Sequence, residues 1–274
     1  MTTNRQQEGS PQQTLGWSPA LVDRTARRTA QKEAAFLLPY LKPGMRLLDC
    51  GCGPGTITIG LAEAVAPGEA TGIDIGAQQI ELARANAAQS DTANVRFQVA
   101  DVLKLPFEDN FFDVVYANTL IMYFIDKAPA LKEMRRVLRP GGLIGIRDLG
   151  TNGDVVWPPD GPLERTIALY LKGFHYRGAW DPSNGQGNRG QLLRAGFVRC
   201  QASADCEASG TPESLALVAE VWKMRVLASN LWVEQGWIDR AGQERLAQDI
   251  GEWAKRPDAF HSRLFCSAIG WKEG

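Results

Sequence analysis

Leu47-Leu48-Asp49-Cys50-Gly51-Cys52-Gly53-Pro54-Gly55-Thr56 is the stretch on which the fold of this chain turns. An apolar run of strand character enters a glycine-rich turn, and the turn opens into a helical pattern. Such a turn lets a ligand approach bare backbone at the carboxyl end of a strand, where open α/β sheets bind their cofactors. The spacing restricts which cofactor. A dinucleotide fingerprint requires G-x-G-x-x-G, whereas this turn reads G-x-G-x-G and places Thr56 where the last glycine would stand, which disfavours a pyrophosphate cradle.

Outward from that turn, short apolar runs alternate with helical patterns between Met45 and Leu149: RLLDCG, ATGID, VRFQVA, FDVVYAN and LIGIRDL. The alternation predicts a parallel sheet with helices on both faces. The helix APALKEMRRVL puts Ala128, Leu131, Met134 and Leu138 on one face and is expected to stop at Pro140-Gly141-Gly142. Two acids sit at the ends of neighbouring strands. Asp74, nineteen residues beyond Gly55, ends the second strand, from which a carboxylate accepts hydrogen bonds from both hydroxyls of a ribose. Asp101, closing the third strand, suits the exocyclic amine of adenine, and the apolar Val102 beside it suits a purine face.

The flanks read differently. Residues 1–16 are polar and are expected to be a mobile tail. Ser18-Pro19 marks a helix start, with Leu21, Ala30, Ala34 and Leu37 as its apolar set as far as Pro39, so residues 17–44 form an N-terminal helical cap before the core of 45–149. Residues 150–190 hold Trp157, Trp180 and several prolines and glycines around one helical stretch, LERTIALYLKGF, and read as a lid on the acceptor side. Residues 191–274 complete the sheet with the strands VRCQASADCEA and RLFCSAIGWK and add helices. One of these, capped by Thr211-Pro212 and read as far as Gln235, is apolar on more than one face, which suggests burial on two sides and a homodimer.

Composition excludes several classes. A net charge of -1 and a pI near 6.2 lack the basic footprint of a nucleic-acid binder. No stretch reaches the roughly 18 apolar residues of a membrane span, and the polar start reads as neither signal nor transit peptide, so a cytoplasmic location is expected. Five cysteines, two of them inside the glycine turn, make neither a disulfide framework nor a metal site, and no metal is expected.

With these motifs in place, residues from about Leu41 to Leu149 resemble the class I S-adenosylmethionine-dependent methyltransferases. They look most similar to the branch holding the ubiquinone and menaquinone C-methyltransferases and many small-molecule methyltransferases of secondary metabolism. LLDCGCGPG, GIDIGAQQIELARA, VADVLKLPFEDNFFDVVYAN and LKEMRRVLRPGGLIGIRD carry the resemblance. It implies a Rossmann-like, seven-stranded, mostly parallel sheet and S-adenosylmethionine as cofactor, with S-adenosylhomocysteine as product. It further implies that Asp49, Gly51 and Gly53 hold the methionine moiety, that Asp74 binds the ribose with Ile75 and Gln79 beside it, and that Asp101 and Val102 hold the adenine. Asn118 would lie near the sulfonium, and Thr29 would close the pocket from the N-terminal helix.

The expected activity is methyl transfer to a small aromatic or hydrophobic metabolite, with quinone C-methylation as the alternative. Tyr123, Trp157 and Trp180 are candidate walls for the acceptor. His175, beside Tyr176, is the candidate base or orienting group, and His261 is a poorer one. Arg147 and Asp148, closing the fifth strand on the cofactor side, are further candidates, although an Arg-Asp neighbour pair is as easily a surface ion pair. An NAD(P)-dependent reductase would require glycine at position 56. A non-catalytic methyltransferase-like binding protein would lose the motif acids, yet Asp49, Asp74 and Asp101 are all present. An arsenite methyltransferase would need spaced cysteines that this chain lacks.

Overall fold

The computed structural model describes residues 27–177 and 184–274. The expected tail, the Ser18-Pro19 helix start and Trp180 lie outside the described residues. Five parallel strands form the first part of the sheet: β1 (Leu47–Cys50), β2 (Ala70–Asp74), β3 (Val95–Val99), β4 (Phe112–Asn118) and β5 (Leu138–Leu149). Their spatial order is β3-β2-β1-β4-β5. The register sets Cys50 level with Ile73 and Ala117, so β1, β2 and β4 end together. That brings the glycine turn, Asp74 and Asn118 to one edge of the sheet.

The sheet has eight strands among the described residues, where seven were expected. The extra one is β6 (Val155–Trp157), inside the segment read as a lid. It exists because β8 (Phe260–Lys272) is long. Residues 265–271 of β8 pair with β5, and residues 260–262 run on past the end of β5 to pair with β6. The opposite edge of β8 pairs with β7 (Phe197–Ser209) along nearly its whole length. Only β8 runs against the others.

Alternation along the central strands divides the core into two layers. Leu48, Val115, Ala117, Ile144 and Ile146 face α4 (Ala128–Val137) and α6 (Asn188–Arg194). Leu47, Val114, Tyr116 and Leu143 face α2 (Thr56–Val65) and the N-terminal segment. A smaller layer joins α3 (Ala77–Ala88) to Phe97. The helix α4 ends at Val137, and Leu138 already belongs to β5, so the helix ends before Pro140-Gly141-Gly142, which falls inside the strand with Pro140 and Gly141 exposed and Gly142 buried. Among the described residues of the N-terminal segment, α1 (Ala30–Glu33) is α-helical and is followed by a 3-10 turn at Leu38–Tyr40, so the helix does not run on to Pro39.

A second core lies among helices. α5 (Pro162–Arg177), α7 (Pro212–Ala228), α8 (Asn230–Glu234) and α9 (Arg240–Trp253) bury Leu163, Trp222, Trp232, Leu246, Ile250 and Trp253 against one another. Thr211 caps α7 with the reciprocal Ser214 bond of a capping box, as its sequence predicts. The helix does not continue to Gln235 but breaks at Ser229. Its buried side is Leu215, Ala219, Trp222 and Val226, while its second apolar side, with Leu217, Val218 and Val221, lines a cavity.

Candidate active site

The glycine turn after β1 is held in left-handed backbone at Gly51, Gly53 and Gly55. Two of these glycines serve different ends. A Cβ on Gly55 would lie 2.7 Å from the Phe97 ring and 2.8 Å from Ala83, so its bareness lets α2 and α3 close on the sheet. A Cβ on Gly53 would meet only Gln79 Oε1, at 4.0 Å, so this glycine keeps a surface open.

Around that surface the acids are tied in. Asp74 accepts the N–H of Gly53 at 3.0 Å and that of Gly76 at 2.8 Å. Burial raises its pKa, and these N–H bonds pull the other way. Asp49 is buried and accepts the Thr58 hydroxyl at 2.6 Å. Burial pushes its pKa up to about 7, with Thr58 opposing and Asp74 adding. Asp101 is exposed, and its carboxylate accepts the N–H of Leu103 at 2.9 Å. Val102, expected against a purine, has its side chain in the hydrophobic core. Exposed apolar side chains at these strand ends are instead Ile75, 48 % exposed, Val99, 52 % exposed, and Leu103, 43 % exposed; Val99 and Leu103 were not named for this role from the sequence, although they flank Asp101-Val102.

Asn118 ends β4, buried, with neither amide atom hydrogen-bonded. Gln79 Oε1 is likewise buried and without a partner. Native proteins rarely leave such groups unsatisfied, and clusters of them mark a place where a ligand completes the bonding. Directly after Asn118, Thr119 adopts a left-handed backbone at φ 52°, uncommon for a β-branched residue and a form of strain that concentrates at functional sites. Its hydroxyl accepts a hydrogen bond from Arg28 at 3.2 Å.

The N-terminal segment that carries Arg28 and Thr29 is fastened over this edge. Glu33 in α1 meets Arg147 at 2.5 Å, and Arg147 makes a two-pronged pair with Asp205 at 2.6 and 3.1 Å. Tyr116 donates to the Glu33 carbonyl at 3.0 Å. Arg147 is fully buried and stacks on Phe265, so it is not half of a surface pair with Asp148. Asp148 is itself buried and bonded to Met122 and Asn188. Thr29 caps α1 through the N–H of Lys32.

Residues 41–191 match the methyltransferase domain family. The chain is 32% identical to the "Probable methyltransferase ltbC" of Aspergillus luteorubrus over 94% of its own length and 96% of that protein. The chain belongs to the methyltransferase family. Its methyl donor is S-adenosylmethionine. The methyltransferase is also 42% identical to the demethylmenaquinone methyltransferase of Staphylococcus aureus, over 38% of this chain and 43% of that one. Its fold is similar to the YcgJ protein of Bacillus subtilis, with a TM-score of 0.58 and 17% identity, covering 88% of this chain and 98% of that one.

Beside the N-terminal segment the methyltransferase holds a cavity of about 600 Å³. It lies between α7, the far ends of β7 and β8, and the N-terminal segment, whose Arg28 reaches both the cavity and Thr119. Trp222, Leu217, Val218 and Val221 supply apolar surface, while Arg28, Arg225, His261 and Arg263 supply polar groups. The acceptor residues expected from sequence are not brought together here. Trp157 is 54 % exposed, and its carbonyl accepts from Trp253. His175 is exposed, as is Tyr176, which packs edge-on against Trp237. None of these three lines the cavity. Tyr123 is largely buried; burial raises its phenol, while Arg225 and Arg28 lower it from the cavity side. Of the cavity's polar groups the sequence named His261, as the poorer candidate base; its arginines were not singled out, because they come from elements far apart in sequence.

Proposed function

We propose that this methyltransferase methylates a small aromatic or hydrophobic metabolite held in the cavity beside the Asn118 edge. The observation that carries the reading is the cavity itself. It is of small-ligand size, about 600 Å³, walled by Trp222 and aliphatic side chains with a few polar groups, and it reaches through Arg28 to the residue after Asn118.

The donor fits the residues present. Gly53 leaves its backbone open, Asp74 keeps carboxylate lone pairs free for ribose hydroxyls, and Asn118 and Gln79 hold buried polar atoms without partners. Gly51 and Asp49 would flank the methionine part, Ile75 and Leu103 would bracket the adenine with Asp101 at its amine, and Thr29 would close the segment above. When bound, the donor supplies an electrophilic methyl group on a sulfonium. The protein's task is then alignment of the acceptor and exclusion of water.

Quinone C-methylation is a second reading, supported by the likeness to the staphylococcal demethylmenaquinone methyltransferase. That likeness spans 38% of the chain, and the cationic side chains of the cavity suit a polar acceptor better than a long apolar tail. The test is transfer of labelled methyl from S-adenosylmethionine into a cell extract. Label is expected in the small-molecule fraction, and label confined to protein or nucleic acid would overturn the reading.

A further inference from the structure

His261 is fully buried, lines the cavity and has no hydrogen-bond partner at either ring nitrogen. Its position follows from the long β8. It lies on the part of β8 that runs past β5, held between Val156 of β6 and Ser209 of β7. The carboxylate of Asp154 is also buried, with Oδ2 3.7 Å from His261 Nε2. Asp154 is fixed in turn by the Leu264 N–H, which donates to Oδ1 at 2.9 Å. Two residues along the same face of β8, Arg263 also lines the cavity, and one of its guanidinium nitrogens is buried without a hydrogen bond, 3.8 Å from the Glu207 carboxylate.

A buried imidazole without partners is uncommon unless a ligand completes it. The charges around it narrow the ligand. Cationic side chains outnumber acidic ones along the cavity lining. Of the three lining acids, Glu33 is committed to Arg147, Glu207 to Lys32 at 3.2 Å and Arg263 at 3.8 Å, and Glu220 is exposed. An amine, cationic before methylation, would meet like charge there. A carboxylic acid is ionised at neutral pH and has no need of a base. A phenol needs both things the cavity offers, a group to take its proton and positive charge to receive the oxyanion.

We propose that the cavity takes a phenolic acceptor whose hydroxyl gives its proton to His261, with Asp154 as the positioning residue behind the ring and Arg28, Arg225 and Arg263 holding the resulting phenolate. One proton passes from oxygen to imidazole nitrogen, and no electron changes hands. The oxygen's electron pair would form the new O–C bond as the donor's S–C bond breaks and its pair leaves with S-adenosylhomocysteine, so the reaction is O-methylation. This inference rests on the small-molecule methyltransferase reading given above and names the chemistry of its acceptor.

The probe is 4-nitrophenol, whose phenol and phenolate forms absorb at different wavelengths. Protein saturated with S-adenosylhomocysteine is mixed with it at a pH just below the probe's own pKa. Saturable appearance of the phenolate band is expected, with a shift in one of the two 15N-histidine signals that the chain provides. His261→Gln should remove that signal and the phenolate band while still binding S-adenosylhomocysteine, and His175→Gln should leave the band unchanged. Asp154→Asn should change which ring nitrogen of His261 carries the proton, read from its 15N shifts, and weaken the band. With a phenolic substrate, His261→Gln should lower the transfer rate by roughly 100-fold or more. A probe that stays protonated, an equal band in His261→Gln, or no saturable uptake overturns the proposal. Should His261→Gln fail to fold, the wild-type spectra decide alone. Loss of S-adenosylhomocysteine binding by the wild type would instead sink the donor-site reading, so the two failures are told apart.

Discussion

Asp74 joins the turns after two strands: one carboxylate oxygen holds the Gly53 N–H at 3.0 Å and the other the Gly76 N–H at 2.8 Å. The group expected to receive the ribose therefore also fixes the backbone beneath the donor. Asp74→Ala removes both functions. Titration calorimetry with S-adenosylhomocysteine is expected to show affinity reduced at least tenfold, since each charge-assisted hydrogen bond lost is worth roughly 1.5 to 3 kcal/mol. Affinity equal to wild type would take Asp74 out of the site.

Gly53 and Gly55 should separate binding from folding. Gly55→Ala presses a methyl against Phe97 and Ala83 in left-handed backbone and should lose about 2 to 4 kcal/mol of stability in urea unfolding. Gly53→Ala meets open space and should lose only about 1 to 2 kcal/mol, mainly from its backbone conformation, yet bind S-adenosylhomocysteine markedly less well. If the two variants ranked the other way in stability, the division of labour within the turn would be refuted.

Asn118 predicts an opposite pattern. Its amide is buried and unsatisfied in the free protein, so Asn118→Ala removes a group that has nothing to lose. Thermal melts should place the free variant close to wild type, while the rise in melting temperature on adding S-adenosylhomocysteine should shrink. An undiminished rise would show that the amide does not meet the donor.

The pH dependence of stability should carry the mark of Asp49. Its carboxyl titrates near 3.8 when unfolded and at about 7 in the fold, where burial is the main cause. Between those values the folded protein keeps a proton that the unfolded chain has released, so this group's contribution falls as pH rises and its penalty is complete above about 7. Asp49→Asn should therefore gain roughly 2 to 4 kcal/mol relative to wild type above that pH, and nothing below the unfolded pKa. Urea titrations of both proteins across the range check the sign. A gain independent of pH would point to packing instead.

Arg147 holds Glu33 and Asp205 from a fully buried position. Arg147→Ala strands the buried Glu33 carboxylate and should cost about 3 to 5 kcal/mol. Limited proteolysis should then cut near α1 sooner than elsewhere. Unchanged stability would mean that the pairing only balances its own desolvation.

Much of the parallel half of the sheet was legible in the sequence because it rests on local patterns. Alternating apolar residues place β1, β2 and β4, the glycine spacing marks the turn, and Asp74 falls at a strand end. Asn118 and Gln79 were named by resemblance, and their unpaired atoms give that naming a physical basis. The cavity was not legible. His261, Arg263 and Arg225 come together only because β8 overruns β5 and α7 lies across it, and nothing in the local pattern of RLFCSAIGWK says how far the strand extends. His175 drew attention as a histidine in a segment rich in aromatics, but helix periodicity turns it to solvent. Val102 was the natural apolar neighbour of Asp101, yet its side chain points into the core and leaves Leu103 outside.

The single reversed strand has a consequence for how the chain is made. β8 follows every other strand in sequence, yet it alone links β5 to β6 and β7. On the ribosome, the donor half can assemble its five parallel strands early, but β6 and β7 have no partner edge until residues 260–272 emerge. Until then the edge that carries Asn118 is framed while the cavity wall built from β7 and β8 is still unzipped. One strand then joins β6 and β7 to β5 together.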